Sequence, residues 1–115
     1  MERDWFEFIE TTGFSKKLDQ VAGPETLRAI QSDLIEDPGR WPVVRRTNGA
    51  RKGRVADPSS SRGKRGSFRY YYLYLSHRGR VYLLAIFSKG EASDLTADQK
   101  KKVAAMITQI QKEAR

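Results

Sequence analysis

Apolar residues change their spacing several times along this chain, and each change marks an element. From Trp5 to Thr11, Phe6 and Phe8 alternate with polar neighbours in an aromatic, β-branched stretch that predicts a first strand closed by Thr11-Thr12-Gly13. Phe14, Leu18 and Val21 then recur at helical spacing, so a short helix is expected, stopped at Gly23-Pro24. Pro24 suits the first position of a second helix, in which Leu27, Ile30, Leu34 and Ile35 form the stripe and Asp37-Pro38-Gly39 ends it. These helices should make a hairpin lying on one face of a sheet. Trp41 to Thr47 and Ala50 to Ala56 read as extended around the turn pair Asn48-Gly49. Phe68 to Leu75 follows as a strand and Ser76-His77-Arg78-Gly79 as a turn. Val81 to Phe87, seven apolar residues in a row, predicts a strand covered on both faces. Finally, Thr96 and Gln99 have the spacing of a capping box, and Val103, Met106, Ile107 and Ile110 give one stripe along a C-terminal helix. Asp94 and Asp98 would lie at that helix's positive end.

The order β-α-α-β-β-β-α predicts an α+β fold, a small mixed, mostly antiparallel sheet of about four strands with helices mainly on one side. Two N-terminal helices pack on the sheet and a C-terminal helix completes it. A length of 115 residues suits one domain, 1–115, with a single core.

Charge changes this picture. Between Arg45 and Arg80 eleven Lys or Arg face one acid, Asp57, giving net +10, whereas residues 1–44 sum to −4 and residues 81–115 to +2. The whole excess of +8 therefore comes from the middle of the chain. So concentrated a field beside a sheet implies a polyanionic partner, and nucleic acid is the usual one. Within this span Asp57 to Gly66 holds one proline, three serines, two glycines and three basic residues, a composition that buries nothing. A flexible basic loop over about 57–67 is expected, suited to a phosphate backbone.

Several chemistries drop out. Without cysteine there is no disulfide scaffold and no thiolate chemistry, which agrees with a reducing compartment. A single histidine, His77, rules out a paired-histidine ribonuclease site and reads as a plain turn residue. No His/Glu pair has helical spacing, so no metal or other cofactor is expected. GKRGS lacks the upstream glycine of a phosphate loop and precedes a strand. MERDWFEFIE has no apolar stretch of signal-peptide length and no run is long enough to span a bilayer, so the expectation is a soluble, cytoplasmic protein without a membrane partner.

What remains is chemistry by cations. Lys52 and Arg54 are two apart on one strand and so share a face. Arg69 lies on the next strand, on a face with Tyr71, Leu73 and Leu75, while Phe68, Tyr70, Tyr72 and Tyr74 look the other way. If those strands pair, Lys52, Arg54 and Arg69 converge on one phosphate, with Lys89 leaving the last strand nearby. Such a cluster can stabilise a pentacovalent phosphate during attack by an RNA 2′-hydroxyl. Lys52, surrounded by positive charge, is a candidate for taking the proton. From spacing alone, each cation reads first as a backbone-binding or solvated residue. Tyr70, Tyr72 and Tyr74 at period two suit one wall of a core, and Tyr71 is the better candidate for stacking an unpaired base.

The run RKGRVAD, the stretch GKRGSFRYYYLYL and then VYLLAIFSKGEASDLTADQKKKV resemble the RelE/HigB superfamily of type II toxins, and within it the HigB-like branch. The resemblance covers Phe8 to about Ile110 in matching element order. It implies a RelE-like microbial RNase fold and a bacterial cytoplasmic endoribonuclease that cuts mRNA in the ribosomal A site. It also implies a helix-turn-helix antitoxin, with promoter DNA bound only through the toxin-antitoxin complex. Lys52 and Arg54 stand where the family keeps a basic pair, Arg69 matches the arginine that holds the scissile phosphate, and Lys89 matches a basic residue after the last strand. Arg45, Arg51, Lys64, Arg65 and Tyr71 would contact RNA. The chain departs from RelE at Gly90, where RelE has an arginine, and near Thr96, where the catalytic tyrosine would fall. Lys64 and Arg65, or Tyr71, are candidates for that missing work. The alternatives of other classes are a non-catalytic ribosome- or RNA-binding module, and a ParE-like relative that poisons gyrase.

Overall fold

Seven consecutive apolar residues leave Val81–Phe87 no face to give to water, and this segment becomes an interior strand. The structure, a computed structural model, describes residues 6–58, 67–92 and 94–114. Its elements follow in the order β1 (Glu7–Glu10), α1 (Thr12–Val21), α2 (Pro24–Glu36), β2 (Arg51–Ala56), β3 (Ser67–Leu75), β4 (Arg80–Phe87) and α3 (Ala97–Glu113). The strands form one mixed sheet in the order β1-β4-β3-β2, with β1 parallel to β4 and the other pairs antiparallel. The α+β class and the element order agree with the expectation from the sequence. Among the described residues no helix is long and apolar enough to cross a membrane.

Local chemistry sets the element ends. Thr11 accepts a hydrogen bond from the Phe14 amide at the start of α1, and its hydroxyl donates to the Leu83 carbonyl at 3.1 Å, so one residue caps a helix and ties it to β4. Pro24 opens α2 next to the Gly23 cap. At α3 both halves of the Thr96/Gln99 capping box are made. Between β3 and β4, Ser76–Arg78 forms a 3-10 turn closed by Gly79 in the left-handed region.

The sheet is covered on both faces. Phe14 and Leu18 of α1 and Ile30 and Leu34 of α2 pack against Phe68, Tyr70, Tyr72, Val81, Leu83 and Ile86. On the other face Val103 and Ile107 of α3 cover Tyr71, Leu73, Leu75 and Leu84. The expectation of helices mainly on one side is therefore corrected, because both inner strands are apolar on both faces and the second face needs α3. Tyr70 and Tyr72, fully buried, wall the core as the alternation suggested. Ile35, assigned to the α2 stripe, is instead 54% exposed. The β3–β4 register shifts between Tyr71 and Tyr72, so that Tyr71 opposes Ala85 while Tyr72 opposes Leu83.

Trp41 to Thr47 is not a strand. Only Val43 bridges to Arg51, and residues 45–48 turn, with Arg46 and Asn48 at φ of 67° and 62°. Positive φ cannot continue an extended chain, which ends the pairing there. Trp5 and most of the 57–67 loop lie outside the described residues.

One close approach fixes the outer strand. A Cβ added at Gly53 would stand 2.6 Å from Tyr70 Cζ and 3.0 Å from Trp41 Cδ1. Gly53→Ala should therefore cost about 1–3 kcal/mol through overpacking. A lowered urea midpoint at unchanged slope would register it, and a wild-type midpoint would disprove the close packing.

Candidate functional site

The β2–β3 register sets Lys52 opposite Tyr71 and Arg54 opposite Arg69. Residues directly opposed across a strand pair share a face, so the three cations rise together on the side covered by α3. At the sheet edge Trp41 and Pro42 join Lys52, Gly53, Arg54 and Arg69 around an open groove of about 400 Å3.

The Trp41–Pro42 wall is pinned from the opposite face of the sheet. Asp33 accepts from Trp41 Nε1 at 2.8 Å and from the Tyr70 hydroxyl at 3.2 Å, and it pairs with Arg40, whose guanidinium lies 5.0 Å from the Trp41 ring. Arg51 donates to the carbonyls of Trp41 at 2.6 Å and Gly39 at 3.0 Å, and the Tyr72 hydroxyl donates to Pro38 O at 2.7 Å. Burial, and next the Asp33 carboxylate, push the Tyr70 phenol far up. Burial takes Tyr72 up to about 12, against the pull of Arg51. Both hydroxyls thus remain neutral donors at ordinary pH.

On the groove side, two acids of the segment after β4 organise the cations. Glu91 Oε1 accepts from the Ser88 amide at 2.7 Å and hydroxyl at 2.9 Å, while Oε2 receives Lys17 Nζ at 2.9 Å. Its carbonyl, held in place by this clamp, accepts from Arg69 Nη2 at 3.1 Å. Arg69 Nε is buried and has no hydrogen-bond partner among the described residues. The Lys17 hydrogen bond first, and then the Ser88 amide, lower the Glu91 carboxyl from 4.5 to about 2. Asp94 reaches back to β2, where its carboxylate meets Lys52 Nζ at 2.8 Å. That contact adds to its place just ahead of the α3 terminus. It also draws the Asp94 carboxyl below the usual range, with Lys100 and Arg69 contributing. Lys52 thus faces a carboxylate rather than cations alone.

The other residues expected in the site are scattered. Tyr71 is 1% exposed, with its ring edge on Phe87 at 5.9 Å and Lys52 Nζ 5.9 Å from its centroid. A ring so covered offers no face to a base, so the stacking role is corrected to a place in the core beneath α3. Burial pushes its phenol up, while Lys52 and the Leu95 backbone oppose this. Arg51 lies on the opposite face, across from Tyr72. Arg45 is exposed in the 45–48 turn, and Lys89 is exposed in the turn after β4; neither lines the groove. Lys64 and Arg65 lie outside the described residues. His77 sits past the far end of β3, roughly 20 Å along the strand from Arg69 at ~3.3 Å per residue, too far to serve the groove. Among the described residues no group of three or more His, Cys, Asp or Glu side chains could hold a metal.

Sequence reasoning missed Trp41 and Pro42 as the wall, and Lys17, Glu91 and Asp94 as the organisers. Their partners are remote in the chain, and no short motif joins them. No protein-family model matches the sequence.

The Glu91 clamp carries a pH signature. A carboxyl lowered on folding stabilises the fold above its unfolded value, and this contribution is lost as pH falls from 4.5 towards about 2. A carboxyl-carbon NMR titration should give Glu91 a midpoint near 2, and Glu91→Gln should flatten the acid limb of the stability profile. A midpoint at 4.5 would remove the clamp.

Proposed function

We propose that this protein is a RelE/HigB-like toxin of a type II toxin-antitoxin system, an endoribonuclease acting on ribosome-bound mRNA. The observation that supports this most is the gathering of Lys52, Arg54 and Arg69 around one groove on the most basic part of the chain.

In this reading the RNA 2′-hydroxyl gives up its proton to water, its oxygen attacks the adjacent phosphorus to form a 2′,3′-cyclic phosphate, and the bond to the 5′-oxygen breaks as that oxygen takes a proton from water. Arg54 and Arg69 meet the phosphate oxygens, where negative charge grows in the transition state. Fixed cations aimed at developing charge are the largest source of rate such a site can supply. The clamp through Glu91 keeps Arg69 in place before substrate arrives. Lys52, once Asp94 gives way to phosphate, is the third cation. No imidazole stands within reach, so orientation of the 2′-hydroxyl falls to the ribosome, which supplies rate by positioning. A helix-turn-helix antitoxin would neutralise the protein, and promoter DNA would be bound only by the complex. The place of action is the bacterial cytoplasm.

One observation favours a non-catalytic RNA-binding module that occludes its target: the Lys52 ammonium is ion-paired with Asp94 at 2.8 Å. Induced expression followed by primer extension on translated message separates the readings. Discrete, ribosome-dependent cuts are expected, and Arg54→Gln and Arg69→Gln should each reduce cutting by about 10²-fold or more while the protein stays folded. Growth arrest with intact message would establish the binder, and DNA damage without message loss would point to gyrase. Full activity in both variants would reject the groove.

A further inference from the structure

A second cationic cavity lies at the start of α3. The turn at residues 45–48 is fastened to α3: Asn48 Nδ2 donates to Ala104 O at 3.2 Å and to Thr108 Oγ1 at 2.9 Å. Thr47, fully buried, donates to Val44 O at 2.7 Å and accepts from the Ala50 amide at 3.0 Å. Arg46, between these anchors, takes a φ of 67°, a conformation that costs a side chain of its kind and that glycine would adopt freely. The fixed turn carries Arg46 to Lys100 and Lys101, and with Ala97 they line a cavity of about 180 Å3.

Among the described residues no acid lines this cavity and no ion pair joins Arg46, Lys100 or Lys101 to a carboxylate. Three like charges around one space repel unless an anion enters. That volume leaves room for a phosphate group with part of its hydration. The Gln99 amide is already taken by Thr96, and the full charges at the cavity are those of the three side chains. Asp94, paired at 2.8 Å to Lys52 of the groove, stands three residues before Ala97 of the cavity, so this short segment connects the two.

We infer that the cavity of Arg46, Lys100 and Lys101 binds a backbone phosphate of a single-stranded RNA whose neighbouring stretch occupies the groove of Arg54 and Arg69. This rests on the reading of the groove as an RNA site. The two subsites, connected by that segment, hold one strand, so a short ligand uses the groove alone and a longer one uses both. Phosphate contacts position a strand without reading its bases, so the cavity sets register and affinity.

The test uses 2′-O-methyl oligouridylates, which cannot be cut, as a dinucleotide and a decanucleotide over a salt series. The variant is Arg46→Gly with Lys100→Gln and Lys101→Gln; glycine suits the backbone at 46, and an unchanged melting temperature is expected. For every phosphate that the variant no longer neutralises, decanucleotide binding should weaken about fivefold near 0.1 M salt and the log–log salt slope should fall by ~0.7. Dinucleotide binding should not change. A decanucleotide slope equal to wild type, or an equal weakening on both probes, would overturn the second subsite. Arg54→Gln separates the two readings: it should weaken both probes. If it weakens neither, the groove is not an RNA site and the shared strand falls with it, whatever the triple variant does.

Discussion

Arg54 and Arg69 stand directly opposite each other across an antiparallel strand pair, and the chemistry of this face follows from that opposition. Like charges so placed destabilise a sheet. The fold does not remove the conflict. It gives Arg69 the Glu91 carbonyl, leaves its Nε buried without a partner among the described residues, and lets Arg54 face water. A face built this way is relieved by an incoming anion.

Two carboxylates in one short segment have opposite uses. Glu91 turns inward and spends both oxygens on Ser88 and Lys17, fixing the backbone that meets Arg69. Asp94 turns outward, with a side chain 96% exposed, and rests on Lys52. An exposed ion pair is worth little and yields readily to a better anion, whereas the Glu91 hydrogen bonds are part of the loop's shape. The wall of Trp41 and Pro42 is held with similar redundancy by Asp33, Arg51 and Tyr72.

Elements written in local patterns were legible in the sequence. The Thr96/Gln99 box, Pro24 at a helix start, the Phe14–Leu18 stripe and the double burial of β4 depend on residues a few positions apart. Period two likewise placed Lys52, Arg54 and Arg69 on one face, since pairing β2 with β3 settles the rest. What stayed hidden depends on distant partners. Asp94 meets Lys52 across 42 positions, and the Tyr71 ring is covered by Phe87 and by the segment before α3. Arg51 shares its basic run with Lys52 and Arg54, yet its odd-numbered position turns it towards Trp41. The left-handed Arg46 has no signature in composition, because arginine is not the residue that conformation selects.

The extra residue in β4 opposite the Tyr71–Tyr72 step has a geometric consequence. Val81 and Leu83 face α1 and α2, and so does Ile86, three positions after Leu83 rather than two or four. The strand thereby changes phase midway, and its last residue, Phe87, emerges beside Tyr71. With an unbroken alternation, Phe87 would point to the helical hairpin and the chain beyond it would leave the sheet rotated by half a turn. The Glu91 carbonyl would then be aimed away from the guanidinium it supports. A one-residue stutter inside a wholly apolar strand is thus what steers the charged loop, and the length of β4 is as much a determinant of the groove as any polar side chain lining it.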